Sequence, residues 1–244
     1  MWIFFYGGRC ASMIILNIIA PFQTQRSVMI MEIEEKIQSE VLQCVVFSPF
    51  RFITDEAELV SSLFEAGLDY YHFRKSDTDR EKVQRFFSKI DPRWYPRIVI
   101  HHDFSILDSL PFSTIHVSSN KKNSLLYRLF VLDRLRRKHS QLQLVTTYED
   151  INTFHVRPGV YKYVLLNGVF TKVAFDLAAL AYVKATLEKR LKHIPVPVFA
   201  KGMMTKESVV QARSLGFSGI ALQEDFWAHP DPLAYFELIK TWRA

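Results

Sequence analysis

Eight short runs rich in β-branched and aromatic residues recur through this chain, about 25 residues apart, with helical runs between them. They read VLQCVVFSPF (41–50), DYYHFRK (69–75), RIVIHHD (97–103), STIHVSS (113–119), LQLVTTY (142–148), YKYVLLNGVF (161–170), PVFAKGM (197–203) and GIALQED (219–225). Strands alternating with helices at this spacing build a parallel sheet. Eight units predict that the sheet closes, as a single-domain (β/α)8 TIM barrel over 41–244. The rival is an open doubly wound sheet, which is disfavoured because no Gly-rich nucleotide loop follows the first strand.

The helical runs carry apolar residues three and four apart. The run at 55–67 has an acidic first turn and a glycine stop. At 205–216, Thr205 and Ser208 form a capping-box pattern before a terminal glycine, and at 231–242 Asp231 caps a helix with Pro232 at its first position. The third helix, around FSILDSL, is short, and the fifth, around EDINTF, is barely one. Residues 1–40 are expected to be an extension with a short helix near 32–40. Its first part, MWIFFYGGRCASMIILNIIAPF, is apolar but broken by GGR and has no basic segment before it, so a start too far upstream fits better than a membrane or export segment.

With 49% hydrophobic and 23% charged residues the chain has a globular balance, and twenty phenylalanines against eight glycines imply bulky packing. Cys10 and Cys44 make no disulfide framework, which points to reduced thiols and a cytoplasmic setting. The net charge of +6 gathers partly in RLRRKHS (134–140) and LEKRLKH (187–193). These read as solvated helix faces, since no aromatic-interleaved basic groove accompanies them. The expected partner is a small phosphate or diphosphate compound drawn to a basic protein, with homo-oligomerisation left open. Neither nucleic acid nor, for the barrel, membrane is expected.

A (β/α)8 barrel puts its chemistry at the carboxyl ends of the strands. Polar residues gather there: His72, Arg74 and Lys75 on strand 2, His101, His102 and Asp103 on strand 3, and His116, Asn120 and Lys121 on or after strand 4. Thr146 and Thr147, Asn167 and Lys172, Lys201 and Gly202, and Gln223 and Glu224 continue the ring. His72 and Arg74 are two apart and share a face, so the Arg74 fork can meet a phosphate. Lys201-Gly202 before a helix has the form of a phosphate cup, in which glycine lets an anion approach backbone N–H groups. Glu224 argues against an anion unless its carboxylate turns away. His72, His102 and His116 on successive strands also make a metal site conceivable, with Asp103 joining, although no tight spacing supports it.

From about residue 42 to 243 the chain resembles the thiamine phosphate synthase and thiazole tautomerase superfamily, closest to a branch found in Bacteroides-like bacteria. The resemblance rests on LFEAGLDYYHFRK (63–75), IHVSSN (115–120), YKYVLLNGVF (161–170) and ARSLGFSGIALQEDFW (212–227). It implies a magnesium-dependent transferase that joins hydroxymethylpyrimidine diphosphate to thiazole phosphate and releases pyrophosphate. By position, Arg74 matches the pyrophosphate-gripping arginine, Lys172 the lysine after strand 6, Gly202 the second cup glycine, and His72 and His102 replace an amide each. The family's magnesium aspartates fall on Phe104 and Lys121, which do not bind a hard cation. The Ser-x-His-Ser motif reads Leu144, Val145, Thr146, Thr147, and the tautomerase histidine falls on Gly168. The expectation is a synthase-like enzyme. The alternatives are a catalytically degenerate relative that binds a phosphorylated molecule or a partner protein, and a barrel enzyme with another substrate.

Overall fold

The computed structural model describes residues 41–76, 79–118, 121, 124–154, 156–157, 159–170 and 177–243, the side chains of 177–183 excepted. The eight strands are β1 Gln43–Phe47, β2 Tyr70–Phe73, β3 Ile98–Ile100, β4 Thr114–His116, β5 Gln143–Tyr148, β6 Tyr161–Asn167, β7 Val198–Lys201 and β8 Gly219–Leu222. They pair in parallel in chain order, and β8 returns to β1 through Gln43–Gly219 and Val45–Ala221. The closed (β/α)8 barrel is the fold of this chain.

The helices are α1 Glu56–Glu65, α2 Arg80–Ser88, α3 Asp133–Lys138, α4 Leu177–Leu191, α5 Lys206–Leu215, α6 Glu224–Trp227 and α7 Pro232–Arg243. A π-helical stretch, Tyr127–Leu132, leads into α3. The two weak helical runs become single 3-10 turns, Phe104–Asp108 and Ile151–Thr153, each capped by an aspartate one residue before. The α5 capping box forms as its sequence predicts: Ser208 N donates to Thr205 Oγ1, and Thr205 N to Ser208 Oγ. Gly216 closes that helix at φ 88°, a left-handed conformation that disfavours side chains. Asp231 caps α7 by accepting from Ala234 N at 2.9 Å.

Strand alternation divides the core in two. Outward residues such as Cys44, Val46, Tyr71, Phe73 and Ile98 pack under the helices. Inward residues fill the barrel: Val45, Phe47, Val99, Val145, Tyr163, Leu165, Phe199 and Ala221. The filling is unusually aromatic, with Tyr163 stacked on Phe199 at 4.4 Å between ring centroids. Gly219 makes it possible, because a Cβ there would lie 2.9 Å from the Phe199 ring. Burial pushes the Cys44 thiol up to about 12, so it is an inert core group.

At the amino-terminal end, Arg243 ties α7 to the first strands. Its guanidinium donates to Leu42 O, Gly67 O and Asp69 Oδ2, and the same carboxylate oxygen accepts from Cys44 N.

Candidate functional site

The register places His72 beside Phe47 and Val99, and His116 beside Val145, all on the inward face. His101, one residue past β3, continues that face. Three histidines from adjacent strands therefore meet inside the barrel. His72 Nδ1 lies 2.8 Å from His101 Nε2, and His72 Nε2 lies 2.6 Å from Tyr163 Oη. His101 stacks on His116 at 4.2 Å and 9° between planes. His116 Nε2 reaches Thr147 Oγ1 at 3.0 Å.

The polarity of this chain follows from Tyr163. Its hydroxyl proton needs an acceptor, and among the described residues His72 Nε2 supplies one. His72 then carries its proton on Nδ1 and donates to His101 Nε2. Both rings stay neutral. Burial holds His72 and His101 well below the ordinary imidazole value, and His116 and Arg74 oppose their charging further. The floor of the mouth is thus polar, dry and uncharged.

Above it stand two cations. Arg74 follows β2, its side chain 16% exposed, with Cζ 4.1 Å from the Phe50 ring centroid and 5.2 Å from that of Phe47. One nitrogen donates to Glu224 Oε1 at 2.8 Å, while Nε is buried with no partner among the described residues. Lys201 ends β7 with Nζ 5.3 Å from the Phe47 ring centroid, and no hydrogen bond holds its ammonium among the described residues. Burial and the nearby Arg74 lower the Lys201 pKa, and Glu149 and Glu224 pull it back. Trp227 Nε1 fixes the turn beneath by donating to Phe47 O.

The remaining sequence-predicted residues divide sharply. Asn167 points inward and donates to Glu149 Oε2, and Gln223 precedes α6 with no cap bond from its side chain. Lys75 does not face the mouth. It points outward, where its ammonium donates to both Glu56 carboxylate oxygens and to Pro49 O and Arg51 O. Thr146 likewise faces out, donating to Val117 O. Asp103 sits at φ 48° and caps the following 3-10 turn through Ser105, so it is not disposed toward a ligand. His102 is exposed beside the buried His101, and Lys121 rests over Tyr127. Asn120 and Lys172 lie outside the described residues.

Gly202 departs from the expected cup. A Cβ there would lie 2.8 Å from Phe170 O, and Met203 N already donates to that carbonyl. The glycine admits the β6 loop backbone. Tyr163 and Phe47 are inward residues the sequence reading did not name, and His101 and Thr147, which it placed in the ring, take the inward positions rather than His102 and Thr146. Parity was the available signal: counting by two from His72 keeps Arg74 and rejects Lys75, and on strand 5 Val145 and Thr147 share the face that Thr146 does not.

Magnesium does not fit this arrangement. The positions matching the family's aspartates are Phe104, inside a 3-10 turn, and Lys121, a cation. His72, His102 and His116 do not make an alternative centre: both His72 nitrogens are taken, by His101 and Tyr163, His116 Nε2 meets Thr147 Oγ1, and His102 is exposed. Among the described residues no three His, Cys, Asp or Glu side chains are placed to hold a metal ion.

Neither family models nor curated proteins give a match to this chain. Solved structures do. Thiamine phosphate pyrophosphorylase from Bacteroides thetaiotaomicron aligns at 20% identity with a TM-score of 0.59, over 82% of this chain and 95% of that one. The pyrophosphorylase from Pyrococcus furiosus aligns at 12% and 0.60, over 84% and 96%. (S)-3-O-geranylgeranylglyceryl phosphate synthase from Thermoplasma acidophilum, in complex with sn-glycerol-1-phosphate, aligns at 14% and 0.59, over 88% and 97%. At such identities the likeness is one of fold, and this chain is a (β/α)8 barrel similar in architecture to thiamine phosphate pyrophosphorylases.

Proposed function

We propose that the barrel mouth binds a phosphorylated small molecule between Arg74 and Lys201. The observation that carries this is a cation pair beside the Phe47 ring: among the described residues the Lys201 ammonium has no hydrogen-bond partner and Arg74 Nε is buried and unpartnered, while only one Arg74 nitrogen is held, by the movable Glu224. Two like charges held together in a half-buried site favour an anion. Glu224 is the gate to that reading. Its side chain is exposed enough to swing away, and an arriving phosphate replaces it on Arg74 with bidentate geometry. The neutral histidine floor adds hydrogen-bonding groups without adding charge.

Thiamine phosphate synthesis is the second reading, favoured by the pyrophosphorylase-like architecture. It is weakened by the filled cup at Gly202 and by the missing magnesium ligands, so the binding reading stands first. Thermal melting with inorganic pyrophosphate, thiazole phosphate and thiamine phosphate, each without metal, tests it. A ligand at a hundred times its Kd stabilises by about 2.7 kcal/mol, a shift of a few degrees. Flat melting curves for all three ligands overturn the proposal. So do shifts that persist in full in Arg74→Ala and Lys201→Ala. Thiamine phosphate formed from the two substrates establishes the transferase reading.

A further inference from the structure

The helix between β4 and β5 breaks the usual division of a barrel helix into an apolar inner and polar outer face. Leu132 is buried in the core, with Tyr127 and Leu135 packed against it. On the outside, Leu125 is 64% exposed, Leu126 67%, Leu129 48% and Phe130 70%. Leu129 and Phe130 lie within the π-helical stretch, and Leu125 and Leu126 directly precede it. Single exposed apolar residues need no explanation, but four together on one helix do.

Cations border this patch. Arg134, Arg137 and Lys138 line one hollow with Leu129 and Phe130, and Arg128 and Arg136 are exposed on the same helical segment. Lys138 pairs with Asp108 at 2.6 Å, and Arg137 Nε donates to Asp133 O. Arg128, Arg134 and Arg136 have no ion pair among the described residues. Apolar and basic groups line one shallow groove of about 310 Å³, where Phe104, Phe130, Val131 and Leu135 meet Arg134 and Lys138. Leu129 and Arg137 extend it into a neighbouring hollow.

We infer that this face docks on an anionic lipid surface. Leu125, Leu126, Leu129 and Phe130 enter the boundary between headgroups and acyl chains, and Arg134 and Arg137 beside them meet headgroup phosphates. Charge selects this occupant. A second copy of the chain would bring arginines against arginines. Projecting apolar side chains also suit a deformable acyl layer better than a shaped protein pocket. The contact is peripheral, because among the described residues no helix is long and apolar enough to cross a membrane.

Co-sedimentation of the full chain with vesicles tests this, comparing phosphatidylcholine alone with vesicles holding about 30% phosphatidylglycerol. The chain is expected to sediment with the anionic vesicles only, and to release as salt rises from about 0.1 to 0.5 M. Arg134→Glu/Arg137→Glu and Leu129→Ser/Phe130→Ser should each lower the bound fraction about tenfold, with melting temperatures unchanged because all four positions are solvent-facing. Three results overturn the inference. One is equal sedimentation with uncharged vesicles or with none. Another is unchanged binding by both variants, which assigns lipid contact to another part of the chain. The third is a dimer in sedimentation velocity that the same substitutions abolish.

Discussion

At the scale of single residues, the strand-end chemistry was legible and its direction was not. His72, Arg74, His116 and Lys201 could be chosen from the sequence because polar groups at strand ends are conspicuous among apolar runs. Lys75 and Gly202 show the limit. A lysine at a strand end and a glycine before a helix look the same whether they meet a ligand or another part of the chain. In this fold Lys75 meets Glu56 and Gly202 meets the Phe170 backbone. Gly202→Ala is therefore expected to destabilise the protein by about 1–3 kcal/mol, since a backbone carbonyl cannot rotate aside. Urea melts measure it, and a neutral result would return Gly202 to the list of ligand-facing positions. Tyr163→Phe removes the donor to His72 Nε2 inside the barrel, and its expected cost is about 1–3 kcal/mol.

Among elements, all eight strands were readable because burial on both faces demands continuous apolar runs, and helix ends were readable through their caps. The side chains that join elements were hidden, because their partners are far apart in sequence. The clearest case is Glu56 in the first turn of α1. It reads as an acidic residue favouring a helix start, yet it accepts from Lys75 after β2 and from Tyr71 Oη at 2.5 Å. Burial lowers the Lys75 pKa and Glu56 raises it part of the way back, within an ion pair whose side chains are shut off from solvent. Lys75→Met leaves the Glu56 carboxylate uncompensated and is expected to cost about 3–5 kcal/mol. Adding Glu56→Leu and Tyr71→Phe removes the stranded carboxylate and hydroxyl and should restore part of the loss, since Pro49 O, Arg51 O and Ile53 N still lose their partners. Equilibrium unfolding of the single and triple variants decides it, and additive losses would refute the coupling.

For the whole molecule, the buried histidines set the response to acid. His72 and His101 are neutral when folded and resist protonation, while in the unfolded chain they take protons near pH 6.5. Their contribution is complete above that pH and is lost as pH falls below it, by about 1.4 kcal/mol per pH unit for each histidine. Denaturant midpoints should thus drop steadily between pH 6.5 and 5, before carboxylates titrate, and the slope should shrink in His101→Leu. The network behind this behaviour joins three strands and could not be read from any one of them. The Arg243 clamp carries a consequence for biogenesis. β1 emerges first from the ribosome, but its second neighbour, β8, and the arginine that secures Leu42 and Asp69 come from the far end of the chain. At 5–20 residues per second the edge of β1 waits roughly 10–35 s for its partner. Closure therefore comes late in synthesis, and until then the nascent barrel is an open sheet whose unpaired β1 edge is free to pair elsewhere.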